Sequence, residues 1–331
     1  MKFSAFIPKT MLVTVVSLVS SCAVQNKFSK KSTVSECIDV SSLSTDAGLS
    51  IVGGTLANGS SDAERATAGL LIIHDLPDRK YKAGTCTGVI ATENAILTAA
   101  HCVVPEEGSL RTRVYVSFAS TLSNDIAAYS NQSSKVIIHP NYAQSGSISN
   151  FDIAIVTLSA PIPEGQLIPS VVTSTDQLET GRSVTAIGYG VTGTEKDDSG
   201  VRRKTQTEIV SVIDEVSYPD SPLFYQVRVV DSTGTISGAC FGDSGGPGFL
   251  DSSALVFGIV QGTNGSVNNN PSSCESGDYN YTLISPYIDW IEESLQAPLN
   301  KTSQAIFISK KPTASQASNT QANTAANCIV P

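Results

Sequence analysis

Gly242-Asp243-Ser244-Gly245-Gly246-Pro247 sets a hydroxyl among glycines. Glycine lets the backbone turn tightly enough for successive N–H groups to converge on one point. A serine hydroxyl is a weak nucleophile at neutral pH and needs an imidazole to take its proton. A buried carboxylate must then hold that imidazole in one tautomer. The chain offers both partners upstream. Thr98-Ala99-Ala100-His101-Cys102 places His101 among small residues beside a cysteine. Asn150-Phe151-Asp152-Ile153-Ala154-Ile155 places Asp152 at the head of an apolar run. His74 and His139 have no such company, and His139-Pro140-Asn141-Tyr142 reads as a structural loop.

Outward from these motifs, residues 51–295 have one texture. Short runs rich in Val, Ile, Thr and Tyr alternate with Gly, Asn, Asp and Ser clusters: 70–73, 114–116, 135–138, 152–158, 183–187, 205–213 and 255–260. Short strands with regular turn signals predict an all-β barrel or sandwich. In 286–295, Tyr287, Ile288, Ile291 and Leu295 fall at helical spacing with acidic residues between, so one amphipathic terminal helix is expected. Residues 296–331 are rich in Ser, Thr, Gln, Asn and Ala and read as a low-complexity tail, with one apolar patch at 305–308.

The three motifs, in the order His, Asp, Ser, resemble those of the trypsin and chymotrypsin family of serine proteases. The resemblance runs from Ile51 to about Leu295, and the six-residue serine motif is its most specific part. It implies two packed six-stranded antiparallel β-barrels followed by a C-terminal helix, with the active site in the cleft between the barrels. It further implies a serine endopeptidase with Ser244 as nucleophile, His101 as general base and then acid, and Asp152 as the group that orients His101. The N–H groups of Gly242 and Ser244 would form the oxyanion hole. Substrates would be proteins or peptides, with no cofactor and no metal. A catalytically silent binding protein of the cell envelope on the same fold is the alternative reading. An unrelated esterase fold is disfavoured, because the nucleophile-elbow motif and its chain order are missing.

Ile51-Val52-Gly53-Gly54 resembles the mature N-terminus of this family. Cleavage before Ile51 would free an ammonium to pair with Asp243, and the hole is expected to be unformed until then. Such pairing would hold the α-amino group above its usual value of about 7.7–8.0. Ser50 stands where a trypsin-like activator would require Lys or Arg.

The resemblance also pairs Cys86 with Cys102 and Cys240 with Cys274, leaving Cys37 and Cys328 as a third candidate pair. Paired CxxC spacing is missing, so a zinc site is not expected. Gly238, six residues before Ser244, matches the base of the specificity pocket. It is not Asp, so a preference for Lys or Arg is not implied. Gln261-Gly262-Thr263 stands where most relatives have Ser-Trp-Gly, and Tyr279 falls where a small residue is usual. Bulk from Thr263 and Tyr279 would make the pocket shallow and favour small or uncharged side chains. Residues 264–273 read as a long polar insertion at its rim.

Bulk composition narrows the remaining choices. The net charge is -9, which argues against a nucleic-acid partner. Charged residues are only 15%, against about 25% in typical soluble domains, with Ser, Thr and Asn in their place, a pattern common in exported proteins. The apolar run of residues 11–20 follows Lys2 and Lys9 and is shorter than the ~20 residues of a membrane-spanning helix. Val19-Ser20-Ser21-Cys22 resembles a bacterial lipobox, in which the cysteine is lipidated; an ordinary signal peptide that contains Cys22 is the other reading. Lys27, Lys30 and Lys31 suit a tether near anionic headgroups. The expected organisation is a signal peptide over 1–21, a prosegment or linker over 22–50, the peptidase domain over 51–295 and the tail over 296–331. The chain is expected to be exported, either lipid-anchored at the cell envelope or extracellular.

Overall fold

The first closed barrel grows from strands β1 (Thr67–Asp75), β2 (Tyr81–Thr92), β3 (Ala95–Thr98), β4 (Arg111–Ser117), β5 (Asn131–Ile138) and β6 (Ala154–Leu158). Their order around the barrel is β1-β2-β3-β6-β5-β4, and β4 closes back on β1. The second barrel comprises β7 (Ser183–Gly188), β8 (Arg203–Ile213), β9 (Gln226–Asp231), β10 (Pro247–Leu250), β11 (Leu255–Thr263) and β12 (Asp278–Leu283). Its order is β8-β7-β10-β11-β12-β9, closed by the pairing of β9 with β8. All twelve strands pair antiparallel within their barrels, in the two-barrel arrangement that the sequence motifs imply. This computed structural model describes residues 51–145, 148–213, 226–231, 237–263, 274 and 277–308. Residues 1–50, the 264–273 insertion and 309–331 lie outside the described residues, and with them Cys22, Cys37 and Cys328.

The apolar runs read in the sequence form the barrel interiors. Leu70, Ile72, Ile90, Ile96, Val114, Val116 and Val156 fill the first. Val184, Ile209, Phe257, Val260, Tyr279 and Tyr281 fill the second. A third cluster runs between them and takes in Ile155, Ile187, Phe249, Ile259 and Ile291. A barrel has no free edges, so continuous apolar strands are stable here without inviting edge pairing.

The terminal helix is Ile288–Leu295, preceded by a 3₁₀ turn at Ser285–Tyr287. Ile288 and Ile291 are buried, as their spacing requires. Gln296 ends the helix in a left-handed conformation (φ 51°) and returns its N–H to the carbonyls of Glu292 and Glu293. The chain stays packed beyond that point. Leu299 enters the inter-barrel cluster, Ile306–Phe307 pairs with Leu167–Ile168, and Ile308 packs against the first barrel. The composition of 296–331 masks these few apolar contacts, so the packed body reaches Ile308. Among the described residues, no helix is long and apolar enough to cross a membrane.

Candidate active site

His101 sits in a one-turn helix, Ala100–Val103, directly after β3. The small residues around it have a steric purpose. Ala99 and Ala100 are fully buried in the core of the first barrel, and the Ser244 turn comes close to Ala99. A side chain at Gly245 would collide with Thr98 Oγ1 and come within 2.7 Å of the Ala99 nitrogen. Gly245 also has a φ of 78°, which glycine alone adopts readily.

Asp152 is inaccessible to solvent and is held by an aromatic platform. Phe151 takes a left-handed φ of 52° and stacks on His139 at 4.8 Å between ring centroids. Tyr287 and Trp290, from the C-terminal 3₁₀ turn and helix, pack on His139 at 5.2 and 4.7 Å. The His139 N–H donates to the Ile153 carbonyl at 3.1 Å. The structural reading of His139 is therefore correct, and its surroundings explain why the terminal helix matters to the site. Burial lowers the pKa of His139, which favours the uncharged ring.

Both Asp152 oxygens bind His101. Oδ1 accepts the His101 backbone N–H at 2.9 Å, and Oδ2 accepts Nδ1–H at 2.7 Å. With Nδ1 donating, Nε2 carries the free lone pair. Burial opposes the charged ring, but the Asp152 hydrogen bond and charge prevail, and the His101 pKa stands above its usual 6.5. The ring keeps 28% side-chain exposure, so a substrate can reach it.

Ser244 approaches this pair through the disulfide. Cys102 Sγ lies 3.8 Å from His101 Nε2 and 3.6 Å from the Ser244 carbonyl oxygen. Disulfides join Cys86 to Cys102 and Cys240 to Cys274. Cys86, Cys102 and His101 lie close enough together to suggest a metal site, but both sulfurs are in the bridge and have no thiolate to offer.

Within the 242–246 turn, the amides of Asp243, Gly245 and Gly246 donate to the carbonyls of Cys240, Val260 and Asp243. Among the described residues, those of Gly242 and Ser244 have no acceptor. Gly242 has a φ of 98°, and a side chain there would come within 2.8 Å of Gly190 Cα.

Thr87 is a positioning residue that the sequence reading missed. It lies on β2 of the first barrel and is fully buried. Its N–H donates to the Ser244 carbonyl at 2.9 Å, and its hydroxyl donates to the Gly242 carbonyl at 2.9 Å. It also accepts the Tyr189 N–H at 3.0 Å, so one residue ties both barrels to the Ser244 turn. A lone threonine after Cys86 carries no such signal by itself. Phe241, next to Gly242, stands 49% exposed at the rim of the turn.

Asp243 is 1% exposed. Its oxygens accept the Gly190 N–H at 2.7 Å and the Cys240 N–H at 2.8 Å. Burial pushes its pKa up to about 7, against the pull of those two amides and of Arg203. Ile51 is 1% exposed with a φ of 61°, a strained conformation for a β-branched residue. Val52 exchanges two 3.1 Å backbone bonds with Gly238, which ties this segment to the second barrel's Gly238.

The raised Asp243 value has a consequence for the uncleaved chain. Between the ordinary 3.8 and about 7 the folded state binds a proton that the unfolded state releases. The Asp243 contribution to stability is therefore complete below pH 3.8 and is lost as pH rises through about 7. Asp243→Asn should thus gain thermal stability relative to the uncleaved wild type as pH rises to 8. Calorimetry of both proteins across that range is the check; a difference that does not vary with pH would contradict the argument.

Of the residues expected to line a specificity pocket, Gly238 and Tyr279 meet. A side chain at Gly238 would come within 3.1 Å of the Tyr279 ring. Tyr279 is fully buried and pairs across the sheet with Thr263. Gln261 is buried beside a bulge between Val260 and Gly262, and nothing lies within 4 Å of where a Gly262 side chain would start.

Comparison with known proteins agrees with this architecture. Residues 52–291 match the trypsin family model. Brachyurin of Leptuca pugilator is 29% identical over 214 residues, covering 62% of this chain and 86% of its own. Chymotrypsin of Phaedon cochleariae is 30% identical over 218 residues, covering 63% and 71%. CLIP domain-containing serine protease B10 of Anopheles gambiae is 24% identical over 247 residues, covering 66% of this chain; the match spans only 63% of that relative. The solved structure of HL collagenase superposes with a TM-score of 0.55 at 22% identity, over 75% of this chain and 100% of its own, a likeness of fold.

Proposed function

The chain belongs to the trypsin family, and from that premise we propose that it is a serine endopeptidase acting through an acyl-enzyme, with Ser244, His101 and Asp152 as its triad. The observation that carries this reading is His101 docked through ring and backbone on a buried Asp152, beside the Ser244 turn. Ser244 Oγ attacks the peptide carbonyl as His101 Nε2 takes its proton. The oxyanion that forms accepts hydrogen bonds from the Gly242 and Ser244 amides, which have no other acceptor among the described residues. His101 then gives its proton to the leaving amine, and water repeats the sequence to release the acyl group. The two disulfides suit a chain that folds in an oxidising compartment outside the cytoplasm. A fluorophosphonate, which traps an activated serine, separates this reading from that of a silent binding protein: covalent capture at Ser244 supports the enzyme, and inert processed protein overturns it.

Cleavage before Ile51 is the proposed activating step. The strained, buried Ile51 lies at that junction, and the buried Asp243 carboxylate would accept from the new ammonium.

The proposed preference is for small or uncharged side chains before the scissile bond. It rests on Tyr279 against Gly238 and on Thr263 paired across from Tyr279. Thr263→Gly is expected to raise kcat/KM for a large aromatic residue, relative to alanine, by about 10–200-fold, the range that one or two methylenes command in an apolar pocket. Paired peptide substrates measure it, and an unchanged ratio removes Thr263 from the pocket.

A further inference from the structure

The turn that carries Gly242 and Ser244 is held by its carbonyls. Those of Phe241, Asp243 and Ser244 accept backbone amides: Val191 N–H at 2.8 Å, Gly246 N–H at 2.8 Å and Thr87 N–H at 2.9 Å. Bonds of that kind form whatever the side chains are. The Gly242 carbonyl is different, because its donor is a side chain, the Thr87 hydroxyl at 2.9 Å.

A planar trans peptide points its C=O and N–H in opposite directions. The held carbonyls of Phe241 and Asp243 therefore turn the next amides, those of Gly242 and Ser244, away from their partners. Gly242 joins the first two of these peptide units with a φ of 98°, and glycine is the freest joint a chain can have. Whatever holds the Gly242 carbonyl thus fixes the angle between the Gly242 amide and the rest of the turn. The same peptide unit also bonds through the Asp243 N–H to the Cys240 carbonyl at 3.0 Å, but that bond lies within the segment and moves with it.

Thr87 holds the segment from outside. Its two donors grip the carbonyls of Gly242 and Ser244, the two residues whose amides make the proposed oxyanion hole. A carbonyl can only accept, so the single hydroxyl proton goes to Gly242 while a lone pair takes the Tyr189 N–H at 3.0 Å. Thr87 itself is fully buried, stands opposite Gly69 on β1, and accepts the Thr98 hydroxyl at its carbonyl at 2.8 Å. It follows Cys86, whose disulfide ends at Cys102, next to His101. The grip on Gly242 therefore comes from the same part of the first barrel as the base.

We propose that Thr87 positions the oxyanion hole: its hydroxyl fixes the Gly242 peptide, and with it the aim of the Gly242 amide relative to His101. This inference rests on the endopeptidase reading and adds a residue to its machinery. Without the hydroxyl, the Gly242 carbonyl and the buried Tyr189 N–H lose their partner, a costly state that rotation about Gly242 relieves at the expense of the hole.

The test uses the Ser50→Arg chain, cut before Ile51 by trypsin and verified by mass, as the background for each variant. kcat and KM are measured for a peptide ester that this parent turns over and for its thionoester, in which sulfur, a poor acceptor, replaces the carbonyl oxygen. Thr87→Val keeps the shape and the backbone N–H and removes only the hydroxyl. It should lower kcat for the ester ~10–10²-fold, against the ~10²–10³-fold lost with a whole oxyanion donor, and leave KM little changed. The thionoester gains little from the hole and should lose far less, so the preference for oxygen narrows. Thr87→Ser keeps the hydroxyl and should match the parent in rate and in preference. A merely structural Thr87 would slow both substrates alike. An unchanged kcat in Thr87→Val, an equal loss on the two substrates, or a Thr87→Ser as slow as Thr87→Val overturns the inference. If Thr87→Val fails to fold, Thr87→Ala against Thr87→Ser makes the same comparison. Fluorophosphonate labelling of the parent tests the endopeptidase reading by itself: an inert parent overturns both, whereas a labelled parent with any of those three results overturns only the role of Thr87.

Discussion

Asp152→Asn is expected to lower kcat by about 10⁴-fold while leaving the fold in place. An amide of the same shape keeps one oxygen and can still accept the His101 backbone N–H, now held at 2.9 Å. The ring contact is what changes. A carboxylate oxygen must accept at Nδ1, whereas an amide NH₂ can donate there and turn the tautomer so that Nε2 carries the proton. A protonated Nε2 cannot take the Ser244 proton. The variant also loses the charge that holds the His101 pKa above 6.5. The wild-type rate should therefore rise with pH through that raised value, as His101 becomes neutral, and the variant should lose this step. Steady-state kinetics across pH 5 to 9, with calorimetry to confirm folding, make the test. A loss below tenfold would mean that Asp152 does not orient the base.

Ser244→Ala is expected to remove about 10⁶-fold of the turnover and all fluorophosphonate labelling. The substitution deletes only Oγ. The Ser244 amide remains, and its carbonyl still accepts from Thr87 at 2.9 Å, so the turn should keep its shape. Substrate affinity should then change little. The residual rate would come from the oxyanion amides and from binding, which together sustain ~10³–10⁴ over water. Labelling followed by peptide mapping checks the result. A variant still modified at another serine would transfer the nucleophile's role elsewhere.

Much of this architecture is legible in local sequence because its causes are local. The runs at 70–73, 114–116 and 255–260 lie in strands because continuous β-branched and apolar residues suit a closed barrel. Gly242 and Gly245 are glycines because their φ values of 98° and 78° and the close approach of Gly190 and Thr98 leave no room for a side chain. Thr87 is different. It takes its place from residues far away in the chain, and a threonine does not announce such partners. Of the packed segment at 299–308 only the 305–308 patch stood out in the sequence, for a related reason: a few apolar side chains in polar surroundings gain a purpose only when a barrel surface lies beneath them.

By itself, then, the order of amino acids determined the barrel class and the family, and singled out the three residues for which triad roles are proposed, since each depends on spacing within a short motif. Only the tertiary structure decided that His101 rests on Asp152 with ring and backbone together, and that Thr87 joins both barrels to the Ser244 turn. The physical reason is one of range: hydrogen-bond geometry and burial of charge act over a few ångströms in space, between residues that can be a hundred positions apart in the chain.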